Sequence, residues 1–427
     1  MALNIPDTDL KRIVIIGGGF AGVSLARKLI KQNYQIVLID KNNYHQFQPL
    51  FYQVATAGLE PSAISFPLRK AFQSYKNFHI RVTEVTDIMT ATNEIMTKAG
   101  LLKYDHLVIA IGANTNFFGL SEVQKNAIPM KSVSEALNLR NTILENYEKA
   151  VMEQDTEKRQ GLMNIVIVGG GPTGVEVSGT IAEMKKMILP KDYPELNFSE
   201  MQIYLLEASP RLLNGMSDIS SEKAKFYLEE LGVKVLLKAQ VTDYDGDFIS
   251  LASGEKIRSN TVVWAAGVTG NKIKGLRAEA IGRANRLKVD QFNKIVGYEN
   301  IYALGDIALM NEEKYPNGHP QVAQVAIQQA VLLGKNFVRN LKKQDWQPFS
   351  YKDLGSMATV GRHLAVVDLP FLKFQGFLAW IFWMFVHLMS IIGVKNRLLV
   401  LVNWVWNYFT YDQSLRLIIR ASQRKNT

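Results

Sequence analysis

Gly17, Gly19 and Gly22 stand at G-x-G-x-x-G spacing, and Gly169, Gly171 and Gly174 repeat that spacing later in the chain. Such glycines suit a diphosphate: the first permits a tight turn, the second lets backbone N–H groups approach the anion, and the third lets a helix pack closely on a strand. Asp40 and Glu207 follow each set at the end of the next apolar run, where a carboxylate can accept from ribose hydroxyls. An acid at Glu207 repels the 2′-phosphate of NADPH and favours NADH, although Arg211 lies four residues on. The elements that must hold these groups are legible around them. The β-branched runs Ile13 to Ile16 and Ile165 to Val168 read as buried strands. Each leads into a helix whose unpaired N–H groups face the phosphates, and Pro172 and Thr173 open the second of these helices. Gln35 to Ile39 and Gln202 to Leu206 are the strands that carry the acids. A Pro- and Asn-containing segment from Leu189 to Ser199 delays Glu207 and is expected to be a surface insertion.

One residue separates the two copies. Gly22 is followed by Val23 and Ser24, whereas Gly174 is followed by Val175 and Glu176. A carboxylate in the first turn of a helix is favourable to the helix dipole, which is one account of Glu176. The same helix end should hold a diphosphate, which a nearby carboxylate opposes, and that is the case for a separate use.

The chain has 427 residues, 47% of them hydrophobic, enough for two or three domains. It contains no cysteine, which excludes disulfides, thiolate metal sites and redox thiols, and no metal site is expected. Of the net charge of +10, an excess of six lies from Trp346 onward. There Lys352, Arg362, Lys373, Lys395, Arg397, Arg416, Arg420, Arg424 and Lys425 outnumber Asp353, Asp368 and Asp412. Interleaved with Trp, Phe, Leu and Ile, those cations suit anionic lipid, and no nucleic-acid partner is expected. The opening MALNIPDTDLKR lacks the apolar core of a signal peptide, so a cytosolic catalytic body is expected.

Each glycine motif is followed by a strand-rich stretch that closes on a strand and a glycine. The closures are Asp105 to Asn114, carrying Ala110 and Gly112, and Asn260 to Thr269, carrying Ala266 and Gly267. A third closure, Glu299 to Ala308, has no glycine-rich helix start of its own and completes the first domain. The predicted fold class is α/β, with two Rossmann-type dinucleotide-binding domains, the second inserted in the first, plus a C-terminal helical membrane-binding region. The expected boundaries are 1–115 and 291–345 for the first domain, 116–290 for the second and 346–427 for the tail.

This organisation resembles the two-dinucleotide-binding-domain flavoproteins, which place FAD in the first Rossmann domain and NAD(P)H in the inserted one. The resemblance implies that Gly17, Gly19, Phe20, Ala21, Gly22, Asp40, Lys41, Val85, Ala110, Gly112 and Ala323 contact FAD, with Asp306 of the Gly305-Asp306 pair. NADH falls to Gly169, Gly171, Pro172, Thr173, Gly174, Glu176, Glu207, Ala266 and Gly267. Relatives that work through cysteine thiols, the disulfide reductases and sulfide:quinone oxidoreductases, are excluded. PQVAQVAIQQA, Pro320 to Ala330, is similar to the A-Q-x-A-x-Q signature of type II NADH dehydrogenases, as is NNYHQFQPLFYQVATAGLEP from Asn42 to Pro61. In that family Gln324 and Gln328 would donate amide N–H groups to a quinone, against the alternative of a polar stripe on a solvated helix. The matching Glu lies by the nicotinamide and flavin rings, which implies that Glu176 positions nicotinamide and relays a proton if burial raises its pKa.

Gly376 to Val394 carries only His387 as an ionisable group, and a second apolar run, Leu398 to Phe409, follows Lys395-Asn396-Arg397. One spanning helix, two helices lying in the interface, and a buried core all fit. Trp380, Trp383, Trp404 and Trp406 suit an interface, and His387 reads as a packing residue. GFLAW, VHL, NRLLVL, NWVWNY and SLRLI resemble the membrane-binding region of bacterial type II NADH dehydrogenases. The resemblance implies FAD-dependent oxidation of NADH with two-electron reduction of a membrane quinone and no proton pumping. It also implies a monotopic protein on the cytoplasmic face of a bacterial cell membrane, and a homodimer. Two alternatives are an NAD(P)H-dependent flavoprotein reductase with a non-quinone acceptor and an NADH-gated flavin-binding interaction protein.

Overall fold

Runs of β-branched and aliphatic residues form the central strands, buried on both faces in the computed structural model, which describes residues 2–410 and 415–420. Ser414 and Asp412, with Arg424 and Lys425 of the basic tail, lie outside the described residues. The chain forms two compact units, 1–46 with 66–114 and 268–353, and 47–65 with 115–267 and 354–427.

In the first unit five parallel strands run in the order Ile301–Ala303, His106–Ile109, Arg12–Ile16, Gln35–Asp40, Phe78–Val82. Ile13 is in register with both Ile36 and His106. The third closure thus joins the first unit, as expected. Helix Phe20–Leu29 packs along helix Ala323–Leu341, where Gly334 admits the Lys28 and Leu25 side chains. An antiparallel meander, Val85–Met89, Glu94–Thr97, Gly100–Lys103, completes the βαβ core.

The second unit repeats the plan. Its parallel sheet runs Ile128–Pro129, Thr261–Trp264, Ile165–Val168, Ile203–Glu207, Val233–Leu237, with a meander at Val241–Tyr244, Phe248–Leu251, Lys256–Arg258. Two further pieces join it. Residues 47–65, with helix Phe51–Ala55, pack against helices Val133–Met152 and Pro172–Met187. From 354 onward come the antiparallel strands Ser356–Thr359, Ala365–Asp368 and Lys373–Gln375, then helices Phe377–Ser390 and Val394–Thr410.

The segment from Leu189 to Ser199 departs from the surface insertion that its composition suggests. Leu189, Tyr193, Leu196 and Phe198 are buried, and Tyr147 meets the rings of Tyr193 and Phe198. Its Pro and Asn residues shape turns between apolar anchors.

No helix among the described residues is long and apolar enough to cross a membrane. The 14 residues of Phe377–Ser390 reach about 21 Å, short of the roughly 30 Å of a hydrocarbon core. The single-span reading of Gly376 to Val394 is therefore overturned. The break has a cause in Arg397, which donates to Met389 O (2.9 Å) and Ile391 O (2.9 Å) and so satisfies the carbonyl end of the first helix. Of the four tryptophans, Trp383 is buried, Trp380 and Trp404 are half-buried and Trp406 is exposed. Trp383 is 1% exposed, Trp404 bonds Gln53 Oε1 (2.7 Å), and Trp380 stacks on Tyr408; Trp406 alone is open, at 57%. His387 is a packing residue as expected. Its ring stacks on Trp383 at 3.9 Å, Nδ1 lies 2.8 Å from Trp383 O, and burial pushes its pKa down to about 4.

Helix Pro172–Met187 meets the turn after Thr359 without clearance, since a Cβ on Gly179 would lie 2.4 Å from the Gly361 backbone N. Gly179→Val should therefore cost about 1–3 kcal/mol. Thermal unfolding would read this as a lowered midpoint, and an unchanged midpoint would show that the turn can retreat.

Candidate functional site

The two glycine turns superpose in their details as well as in their spacing. Gly17 has φ +107° and Gly169 φ +110°, a region open to glycine. A Cβ on Gly17 would lie 2.3 Å from Ala110 O, and one on Gly169 would lie 2.5 Å from Ala265 O. A Cβ on Gly22 would lie 1.8 Å from Gly17 O, and one on Gly174 would lie 1.9 Å from Gly169 O. At Gly19 and Gly171, by contrast, a Cβ would meet nothing within 4 Å. The first and third glycines are thus demanded by the protein's own backbone, whereas the middle one faces open space. The helices begin there without a side-chain cap and without an acid in the first turn, leaving N–H donors for an anion. Phe20 and Ala21, and Pro172 and Thr173, form those first turns.

The acids occupy a position that spacing alone did not reveal. Gly18 N–H donates to Asp40 Oδ2 (2.6 Å) and Asn42 N–H to Asp40 Oδ1 (2.6 Å). Gly170 N–H donates to Glu207 Oε2 (2.6 Å) and Ser209 N–H to Glu207 Oε1 (2.7 Å). Each carboxylate therefore ties the glycine turn of one strand to the tip of the next. Burial raises the Asp40 pKa, while the two amides oppose that rise. Arg211 is turned into its own loop, bonded to Asp218, Asn214 O (3.0 Å) and Met216 O (2.9 Å).

In the first unit the Gly305-Asp306 turn, with Gly305 at φ +73°, lies against Ala326 and Ala21. That brings Asp306 and the start of helix Ala323–Leu341 to the first glycine turn. Gln329, absent from the sequence-based candidates, is buried and accepts from Gly305 N–H at 2.8 Å. Its signal was available, since it follows Gln328 in the same helix. Gln328 itself makes a two-point contact with backbone: Nε2 donates to Lys352 O (2.8 Å) and Lys352 N–H donates to Oε1 (3.0 Å). That pairing ties the start of helix Ala323–Leu341 to the chain at Lys352. Lys41 and Val85 follow the tips of the strands Gln35–Asp40 and Phe78–Val82, and Ala110 and Gly112 follow His106–Ile109.

This cradle fits the diphosphate and ribose of FAD: an open glycine, an uncapped helix and an acid at the strand tip. In the second unit Ala266 and Gly267 follow Thr261–Trp264 as Ile111 and Gly112 follow the first closure, and Gly267 approaches Phe118.

Glu176 is the fifth residue of Pro172–Met187, so it stands in the second turn, beyond the reach of the favourable end dipole. The dipole account loses its footing there. The side chain is 7% exposed, and burial pushes its carboxyl up to about 8, against the pull of the Thr359 backbone amide and the Trp383 indole that face it. Beside it, Tyr52 OH lies 3.2 Å from Thr359 Oγ1 and accepts from Gln53 Nε2 at 2.9 Å. Burial raises the Tyr52 pKa far above its usual range, so the phenol stays neutral. Residues 47–65 are held to the last helix by Asn396 Nδ2, which donates to Ser62 O (3.0 Å) and Ala63 O (3.0 Å), and by Asn407 Nδ2 to Gly58 O (3.1 Å).

The sequence profile of the pyridine nucleotide-disulphide oxidoreductases matches residues 11–330, and that of the NDH2 C-terminal domain matches 354–411. A type II NADH:quinone oxidoreductase of Mycobacterium tuberculosis is 35% identical over 93% of this chain and 88% of its own length. External NADH-ubiquinone oxidoreductase 2 of Saccharomyces cerevisiae is 27% identical over 93% of this chain and 81% of its own. Among solved structures, NDH2 from Plasmodium falciparum in complex with NADH aligns with a TM-score of 0.87 at 23% identity, covering 96% of this chain and all of that one. At that identity the likeness speaks to the fold.

A stability prediction follows from Glu176. Its folded pKa of about 8 exceeds the unfolded value of 4.5, so its full favourable contribution holds at acid pH and is lost as pH rises toward 8. Glu176→Gln should match the parent's thermal midpoint near pH 4 and exceed it near pH 9. Equal midpoints at both pH values would show that the carboxyl is not desolvated.

Proposed function

Because the chain belongs to the type II NADH:quinone oxidoreductase family, we propose that it oxidises NADH and reduces a membrane quinone to quinol, with FAD as its cofactor and without proton pumping. The observation that carries this reading is the paired glycine cradle, each copy locked to its own acid, in a chain without cysteine. Bound FAD would accept hydride from NADH at N5 and pass the electron pair to quinone.

The residues supply binding and orientation. Gly17, Gly19, Phe20, Ala21, Gly22, Asp40, Lys41, Val85, Ala110, Gly112, Asp306 and Ala323 form the FAD set. Gly169, Gly171, Pro172, Thr173, Gly174, Glu207, Ala266 and Gly267 take NADH. Arg211's engagement within its own loop supports preference for NADH over NADPH. Glu176 orients nicotinamide and relays a proton, a use suited to a buried carboxyl that titrates close to neutrality. Gln324 donates its amide to the quinone carbonyl, a bond that strengthens as the oxygen gains charge. These assignments rest on the family resemblance together with the placements described above. They divide the chain's work between a FAD-binding unit, a NADH-binding unit and an anchoring tail.

The protein is membrane-associated, as its family is. Peripheral attachment is the form supported by the exposed apolar side chains of the C-terminal helices. Leu378, Phe385, Val402 and Phe409 are among them, and Phe409 is 76% exposed. We assign the bilayer contact to this face, on the cytoplasmic side of a bacterial cell membrane, and assembly as a homodimer.

Stopped-flow absorbance of the detergent-purified protein tests the reaction. Mixing with NADH should bleach the flavin band, and a short-chain quinone should restore it; bleaching without recovery would overturn the quinone assignment. In the same experiment Gln324→Ala should slow recovery and spare bleaching, whereas equal loss in both phases would remove Gln324 from the quinone site. Phe385→Glu with Phe409→Glu should weaken sedimentation with anionic vesicles by about tenfold or more. Unchanged sedimentation would move the bilayer contact elsewhere.

A further inference from the structure

Reduction of quinone by NADH consumes one proton from water at each turnover. Hydride carries the electron pair and one of the two quinol hydrogens, and the second hydrogen must enter the protein. Glu176, nearly without solvent contact, cannot take it up directly.

An open route begins two helical turns away. Glu183 lies on the same face of Pro172–Met187, about 10 Å along the axis, and lines a pocket of about 130 Å³. Gln53, Thr180, Arg362, Trp404 and Tyr408 also line it. Glu183 Oε1 accepts from the Arg362 backbone N–H, which fixes the carboxyl at the pocket wall. Thr180 stands between the two acids and is itself turned back to the helix, its hydroxyl donating to Glu176 O (2.8 Å). The Tyr52 hydroxyl feels the charge of both Glu176 and Glu183. It is joined to Thr359, whose backbone amide faces Glu176, and through Gln53 to Trp404 at the pocket wall.

We propose that Glu183 is the entry point for the consumed proton, which passes from the pocket inward to Glu176. The transfer balances as a relay. A water proton binds the Glu183 carboxylate; that O–H bond breaks as the proton is passed inward; and Glu176 gains a proton that it then releases to the reacting partner. No oxidant or reductant is required beyond NADH and quinone. Glu183 acts through Glu176 and is a positioning residue, not one that touches substrate.

The titration of the two acids suits a relay near neutrality. Burial pushes Glu183 up to about 7, while the Arg362 backbone amide and guanidinium hold it down from a higher value. Burial likewise pushes Glu176 up, to about 8, so both carboxyls are raised toward neutrality. The charged and titratable groups around the pocket are Arg362, stacked over Tyr408 at 5.0 Å, His363 beside Tyr408, Tyr52 and Glu176. Burial and Arg362 lower the His363 pKa, so the two glutamates supply the exchangeable protons near neutrality.

The proposal rests on the reading of Glu176 as a proton relay, and the experiment separates the two. Flavin-loaded, full-length protein is reduced with NADH and mixed with a short-chain quinone across pH 6 to 9 in water and in deuterium oxide. Thermal midpoint and flavin content are measured as checks on folding. Glu183→Gln should slow the quinone phase by about tenfold or more at the alkaline end, with a larger solvent isotope effect, while the NADH phase is unchanged. Glu183→Asp should recover most of the rate. Formate, small enough for the pocket, should restore Glu183→Ala in proportion to its acid form. A parental pH profile in Glu183→Gln, or slowing without rescue by formate or by Asp, overturns the entry role. If Glu176→Gln slows the quinone phase while Glu183→Gln does not, the relay at Glu176 stands and the entry point falls. If Glu183→Gln slows it while Glu176→Gln does not, the path through Glu176 is overturned.

Discussion

The closest constraint in the chain is the passage of a helix over the glycine turn that precedes it. With 1.8 Å between the Gly17 carbonyl oxygen and any Cβ at Gly22, and 1.9 Å at the second copy, no side chain fits. That closeness aims the first helical N–H groups along the line leaving the parallel sheet, and each carboxylate fastened to the next amide keeps the turn from opening. The phosphate-facing donors, the strand-tip acids and the later closures all take their positions from it. A replacement at either third glycine would displace a helix and, with it, the whole donor set.

Burial of an acid is the second organising cost. Glu176 sits where an apolar side chain would be more stable, among Trp383, Tyr52 and the turn after Thr359. Residues held at such expense belong to function more often than to scaffold. The side chains around it come from sequence-distant pieces, 47–65, 172–187 and 354–410, all within one unit. The chemistry assigned to Glu176 therefore depends on the tail as much as on the nucleotide fold.

Much of this was written locally. The glycines, the strands that precede them and the acids that end the next strands follow from residue types at fixed spacing, and the observed strands agree to within a residue. The glycine motif and its closure were legible because they repeat, whereas no repeat announces that 47–65 and 354–427 group with 115–267. What could not be read depended on partners far away in the chain. Neither the Gly18 and Gly170 locks nor the clamp of Gln329 on Gly305 leaves a periodic trace. The Leu189–Ser199 segment has a turn-like composition, yet its four apolar side chains find a core supplied in part by Tyr147. Hydropathy also gave no sign that Trp383 would be buried against His387, or that Trp404 would bond Gln53.

Asn407 holds Gly58 across 349 positions, and Asn396 holds Ser62 across 334. During synthesis the apolar stretch around Phe51, Tyr52 and Val54 therefore emerges long before its covering helix exists. At about 5–20 residues per second the wait is roughly 20–70 s. Helices Val133–Met152 and Pro172–Met187, which also pack on Phe51–Ala55, emerge well before then, so only the face that the last helix covers waits for the end of the chain.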